Sequence, residues 1–130
     1  MIWGDRLYDD LRVVAIAFME VQPREIQQYK IPDGKIPFSE WLESLRDFKG
    51  KAKIVKRLER VSEGNLGDAR SLGEGVWEFK IDFGPGYRVY FGQVETTIVL
   101  LLCGGDKSTQ EQDISKAKKY WTEYRSRKNV

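Results

Sequence analysis

Histidine is absent from this chain of 130 residues, cysteine occurs once, and 22 basic against 20 acidic residues leave a formal net charge of only +2. Without histidine, the commonest general base is missing, and with it every Ser-His or Cys-His nucleophile pair. Any catalysis must therefore run on Lys, Arg, Tyr, Asp or Glu. The lone Cys103 forms no internal disulfide and fits a reducing compartment. With scattered carboxylates it also makes no structural zinc site, which needs converging Cys or His ligands. Long apolar runs are missing too. Residues 13–19 are far short of the roughly 20 residues a bilayer-spanning helix requires. Asp5, Asp9 and Asp10 crowd the region that a secretion signal keeps basic. The expectation is a cytoplasmic protein with no membrane partner and no cofactor or metal.

What remains is ordinary for a globular domain: 41% hydrophobic and 32% charged residues, enough chain to bury a core unaided. Because the charges nearly balance, a basic surface can arise only by segregation. Residues 1–18 carry a mixed pattern and Met19 is a second plausible start. That stretch reads as an N-terminal extension, or as an extra element on the edge of a single domain over 19–130.

The organisation follows from periodicity. Residues 24–30 suggest a first strand, closed by Pro32-Asp33-Gly34-Lys35. Pro37 introduces Phe38, Trp41, Leu42 and Leu45 at helical spacing. Gly50 interrupts, and a second helix over 51–61 would turn Ala52, Val55, Leu58 and Val61 inward. The two form an αα-hairpin whose outer face carries Lys49, Lys53, Lys56, Arg57 and Arg60. Such a stripe suits a nucleic-acid backbone or an acidic partner, or is simply a solvated face.

After a glycine-rich loop at 64–68 the pattern changes to period two: Trp77, Phe79, Ile81 and Phe83 alternate with Glu78, Lys80 and Asp82. A three-residue turn at Gly84-Pro85-Gly86 would set Ile81 opposite Val89, Asp82 opposite Arg88 and Lys80 opposite Tyr90. Residues 98–103 are continuously apolar, as befits a central strand covered on both faces, ended by Gly104-Gly105. Ser108 and Glu111 match a capping box, and Ile114, Ala117, Trp121 and Tyr124 then mark a closing helix. The fold class is α+β.

This register leaves Glu78, Lys80, Arg88 and Tyr90 on one open sheet face, with Lys107 at the following helix N-terminus. Arginine presents a fork matched to phosphate oxygens, and lysine a compact charge. The competing reading is a set of cross-strand ion pairs, Asp82 with Arg88 first among them. Gly104-Gly105-Asp106-Lys107-Ser108 links a strand to a helix but lacks the leading glycine and spacing of a nucleotide phosphate loop. Trp77, Phe79, Tyr87 and Phe91 read as core, whereas Tyr90 is a candidate stacking platform.

Four motifs in this order resemble the RelE/ParE superfamily of toxins, in its HigB-like, phage-related addiction-module branch. They are Pro37-Phe38-x-x-Trp41-Leu42-x-x-Leu45-x-Asp47; Gly64-Asn65-x-Gly67-Asp68 with Gly73-x-Gly75-Val76-x-Glu78; Gly84-Pro85-Gly86-Tyr87-Arg88-Val89-Tyr90; and Leu101-Leu102-Cys103-Gly104-Gly105-Asp106-Lys107-Ser108-x-Gln110. The resemblance implies a small antiparallel sheet curved around an N-terminal helical hairpin, with a C-terminal helix. It implies a type II toxin acting as a ribosome-dependent mRNA endoribonuclease, without a metal, in which a ribose 2′-hydroxyl attacks its own 3′-phosphate. Arg88 would hold the scissile phosphate, Lys107 would share that charge, and Lys80, or failing it Glu78, would be the base. Arg70, Tyr90, Lys53, Lys56 and Arg57 are the substrate-binding candidates. The partners implied are mRNA on the ribosome, a cognate antitoxin of helix-turn-helix type, and operator DNA only through that antitoxin. Asp113 falls near a tyrosine position of some relatives, and the histidine of others is missing. A ParE-like inhibitor of DNA gyrase and a non-catalytic, antitoxin-binding member are the alternatives.

Overall fold

The structure, a computed structural model, describes residues 23–128. The extension over 1–18 and the start at Met19 lie outside the described residues.

Five strands form one open sheet in the order β1-β5-β4-β3-β2: β1 Glu25–Gln28, β2 Ala69–Gly73, β3 Val76–Ile81, β4 Tyr87–Val94 and β5 Ile98–Asp106. β2 to β5 are antiparallel neighbours, joined by short connections. β1, however, pairs with β5 in parallel, with Ile26 opposite Val99 and Gln28 opposite Leu101. The sheet is therefore mixed rather than antiparallel throughout. Two helices follow β1 and carry the chain across one face of the sheet to its far edge, where β2 begins; three antiparallel steps then bring β5 back beside β1 in the same direction. β5 is an interior strand between β1 and β4, covered on both faces as its unbroken apolar run suggests, but it continues through Gly104 and Gly105 to Asp106.

The two early helices, α1 Pro37–Ser44 and α2 Phe48–Ser62, cover one face. Pro37 sits in the first turn of α1, where its missing N–H is no loss. Phe38 is buried, and Trp41 lies over Gly104, where a methyl group would overlap its ring. The helix break falls at residues 45–47, not at Gly50. Asp47 caps α2 by accepting from the Gly50 N–H at 2.9 Å and from the Tyr87 hydroxyl at 2.8 Å. Gly50 belongs to the first turn and faces inward. A methyl group there would come within 2.5 Å of the Tyr87 ring. That close approach sets the helix phase: Gly50, Ile54 and Val61 are buried, whereas Ala52 and Val55, expected inside, are exposed.

The third helix, α3 Gln110–Lys128, packs on the opposite face. Its cap is Asp106, which accepts from the Ser108 N–H at 2.8 Å and opens a 3₁₀ turn over Lys107–Thr109, rather than Ser108. Ala117 and Trp121 are buried, with Ile114 and Tyr124 partly so, as the spacing anticipates. Trp121 lies against β4 at Gly92, where any side chain would overlap its ring. The result is three layers, two helices, sheet and one helix, with a core on each side of the sheet. Among the described residues no helix is long and apolar enough to cross a membrane.

The β3–β4 hairpin is offset by two residues from the expected register. Ile81 faces Tyr87, Phe79 faces Val89, Lys80 faces Arg88 and Glu78 faces Tyr90. The loop spans residues 82–86, closed by Phe83 N–H to Ile81 O and Gly86 N–H to Phe83 O. Phe83 leaves the strand and lies under Lys53, whose Nζ is 5.1 Å from the ring centroid. The pairing of Asp82 with Arg88 is thereby replaced by Lys80 with Asp82 at 3.4 Å.

Candidate nucleic-acid interface

Strand alternation does put Glu78, Lys80, Arg88 and Tyr90 on one sheet face, but that face is not open, because α3 covers it. Glu78 is 4% exposed, Arg88 6% and Tyr90 fully buried. Tyr90 is thus no stacking platform; it belongs to the core beneath α3. Burial, and then the nearby Glu78 and Asp113 carboxylates, push its hydroxyl far above the ordinary tyrosine range.

The polar cluster at this end of the sheet is arranged around Glu78. Its Oε1 lies 3.3 Å from Nη2 of Arg70 on β2, and its Oε2 lies 4.0 Å from Nε of Arg88 on β4. Three adjacent strands therefore carry an Arg–Glu–Arg array. The Arg70 side chain is 67% exposed and the other two are nearly enclosed. Arg88 also donates from Nη1 to the Gly86 carbonyl at 3.0 Å. Among the described residues, Glu78 Oε2, Arg88 Nε and the Tyr90 hydroxyl have no hydrogen-bond partner. Half-satisfied buried groups of this kind are costly and mark places where a further polar group would be accommodated.

Asp113, at the start of α3, closes the cluster from above. Its carboxylate covers Gly105, which faces Arg88 across the β4–β5 ladder, and accepts from the Thr109 hydroxyl at 2.5 Å. Burial raises its pKa, against the opposing pull of that hydrogen bond and of Lys116. Cys103 lies on the same side, its thiol pushed up to about 12 chiefly by burial, so it is a small buried hydrophobe rather than a nucleophile.

Lys80 and Lys107 stay at the surface. Lys80 faces Arg88 directly, and Gly86 links Arg88 to Lys107. A methyl group on Gly86 would stand 3.6 Å from Arg88 Nη1 and 3.8 Å from Lys107 Cβ. The chain needs glycine here because φ is +79°.

Lys80 also lines a groove of about 460 Å³ with Lys53, Lys56, Arg57 and Arg60 of α2, against Asp68 and Asp82. Five cations face two carboxylates, so the nearly neutral chain does segregate its charge. β2 begins only opposite Phe79, so the end of β3 is left uncovered and Lys80 reaches the α2 side. Lys53 lies over the Phe83 ring and Lys80 pairs with Asp82, both by contacts at the surface, and Lys56 is exposed beside them. Arg57 is a strap instead: Nη2 donates to the carbonyls of Leu66 and Asp68, at 3.4 and 3.1 Å, and its guanidinium lies 5.3 Å from the Phe79 ring centroid.

The structure thus joins Lys80, Lys53 and Lys56 in one groove, sets Arg88 and Lys107 around Gly86 at the same sheet end, and ties Arg70 and Arg88 to Glu78. It withdraws Tyr90. Arg60 joins the groove from the basic stripe of α2, and Asp113 is the addition. Glycines inside a strand mark close approach by a neighbour, and Gly105 was the signal for Asp113. Among the described residues no three Cys, Asp or Glu side chains converge as a metal site.

No family model matches the chain. Over 83 residues, it is 48% identical to a Haemophilus influenzae protein described only as uncharacterized, a match covering 64% of this chain and 84% of that one.

Proposed function

We propose, for a chain that belongs to the same family as the Haemophilus influenzae protein, that it is a RelE-like type II toxin that cuts mRNA on the ribosome. The observation that carries the reading is the pairing of Lys80 with Arg88 on adjacent strands where the basic groove meets the sheet end, with Lys107 across Gly86. The helical pair, sheet and closing helix are compatible with that family's fold.

In this reading the RNA backbone lies along Lys53, Lys56 and Arg60, and their charges supply affinity without sequence preference. The ribose 2′-oxygen attacks the adjacent phosphorus, its proton passing to the Lys80 amine as general base. The bond from phosphorus to the 5′-oxygen breaks, and that oxygen takes a proton from water. The products are a 2′,3′-cyclic phosphate and a 5′-hydroxyl. Arg88 and Lys107 stabilise the extra negative charge as it develops. Glu78 is the weaker candidate base, because both its oxygens face arginines and it is almost fully enclosed. DNA lacks the attacking hydroxyl and would not be cut.

One observation favours a binding-only member: Arg88 is 6% exposed and already held by Gly86 and Glu78. Expressing the chain and its Arg88→Ala variant decides between these, with mRNA ends mapped on translating ribosomes and gyrase supercoiling measured in parallel. Ribosome-dependent cuts that vanish in the variant are expected. Intact mRNA with inhibited supercoiling would instead identify a gyrase-directed toxin, and neither effect would leave a binding protein.

A further inference from the structure

The most exposed large apolar side chain among the described residues is Phe48, at 78%, followed by Val55 at 40%, both on α2. With exposed Ala52 they fall at i, i+4 and i+7, a single ridge on the side of the helix away from the sheet. The ridge is fixed in place. Gly50 is pressed against Tyr87, and the Tyr87 hydroxyl holds the Asp47 cap, so Phe48 cannot rotate inward without lifting the helix.

Its border is cationic. Lys51 flanks one side, with Nζ 6.0 Å from the Phe48 centroid, and Lys49, Lys56 and Arg60 flank the other, against Glu59 as the one acid of α2. We propose that this ridge docks an acidic, amphipathic segment of a partner protein, with apolar residues on Phe48, Ala52 and Val55 and carboxylates on the bordering lysines. Charge complementarity selects the occupant. A second copy would bring the four bordering cations of one α2 against four of another, and like charges oppose that pairing. A nucleic-acid backbone uses the cations but gains nothing from the ridge. The proposal rests on the preceding reading only in one consequence: because Lys56 and Arg60 border both ridge and groove, an occupant would compete with RNA.

The test uses the full chain and a synthetic helical peptide carrying Leu along one face and Glu on the others, with a same-composition scramble as control. Titration calorimetry should show binding that weakens with salt, prefers the ordered peptide, and falls about tenfold or more in Phe48→Ser, as for an interface anchor. The Phe48→Ser melting temperature should match wild type, since the side chain is exposed. Equal peptide affinity in Phe48→Ser, no binding by wild type, self-association lost in Phe48→Ser, or capture by anionic phosphatidylserine vesicles with the peptide left unbound would each overturn the proposal. A Phe48→Ser chain that loses the peptide yet still cuts or binds RNA would leave the functional reading untouched. Unaltered peptide affinity in Phe48→Ser, together with RNA cleavage that is lost in Arg88→Ala, would refute this inference alone.

Discussion

Replacing Glu78 by Gln keeps its shape and removes its charge, leaving the guanidinium of Arg88 buried without a counterion. The two charges are 4.0 Å apart, which corresponds to about 4 kcal/mol of attraction at an effective dielectric constant near 20. Most of this offsets the burial of both ions, so the pair as a whole adds little. Removing one member exposes that burial cost, and breaking an enclosed pair destabilises by about 3–5 kcal/mol. Here Gly86 continues to accept from Arg88, and the Arg70 contact, 67% exposed on the arginine side, is worth at most about 1 kcal/mol. The expected loss for Glu78→Gln is therefore about 2–3 kcal/mol, or roughly 6–12 °C in Tm for a domain of this size. Urea unfolding of wild type, Glu78→Gln, Arg70→Ala and the double variant Glu78→Leu/Arg88→Leu measures it. The double variant should recover much of the loss, because apolar replacement removes both buried charges. A Glu78→Gln protein within about 0.5 kcal/mol of wild type, or an Arg70→Ala protein as unstable as it, would refute the reasoning.

Other consequences follow from single contacts. Gly104→Ala places a methyl group into the Trp41 ring and should destabilise by about 1–3 kcal/mol in chemical unfolding, as overpacking does, with tryptophan fluorescence shifted. Asp47 is held below its ordinary 3.8, first by the Gly50 N–H and then by the Tyr87 hydroxyl, so its contribution is complete above about pH 4 and is lost as pH falls through the lowered value. In Tyr87→Phe that acid loss should shrink in a melting-temperature profile. Asp113 is shifted the other way by burial, so its ionisation weakens the fold as pH rises from 3.8 through its raised value. Asp113→Asn should accordingly be more stable than wild type at pH 7 and lose that advantage near pH 3. Cys103, with its thiol near 12, should resist iodoacetamide at pH 8 in the folded protein and react only on unfolding.

The sheet elements and helices were legible because their periodicity is strong, as in Trp77-x-Phe79-x-Ile81 and in the apolar run of β5. The register was not. Phe83 continues the alternation by residue type, yet the backbone turns at Ile81, and the side chain finds its apolar cover under Lys53 instead. The phase of α2 was ambiguous because apolar residues occur at both 54 and 55. The contact of Gly50 with Tyr87 decides it, and only the folded chain contains that contact. The direction of β1 was hidden for a similar reason: a four-residue strand with mixed burial carries no mark of which way its neighbour runs. At the site, Lys80 and Arg88 were read onto one open face with Lys107 beside it; the structure sets all three at one sheet end but encloses Arg88. Their unequal exposure depends on which face α3 covers, and apolar spacing along a helix does not specify that. Gly92 and Gly105 did carry the information, as strand glycines that admit Trp121 and Asp113.

The most direct measurement is single-turnover cleavage of mRNA on programmed ribosomes, comparing an all-ribose message with one bearing a single 2′-deoxy substitution at the cut. The account predicts a 2′,3′-cyclic phosphate end with the ribose message, no product with the deoxy message, and a loss of about 100-fold or more in Arg88→Ala and in Lys80→Ala. Equal cleavage by wild type and both variants, or cleavage of the deoxy message at the same bond, would contradict it.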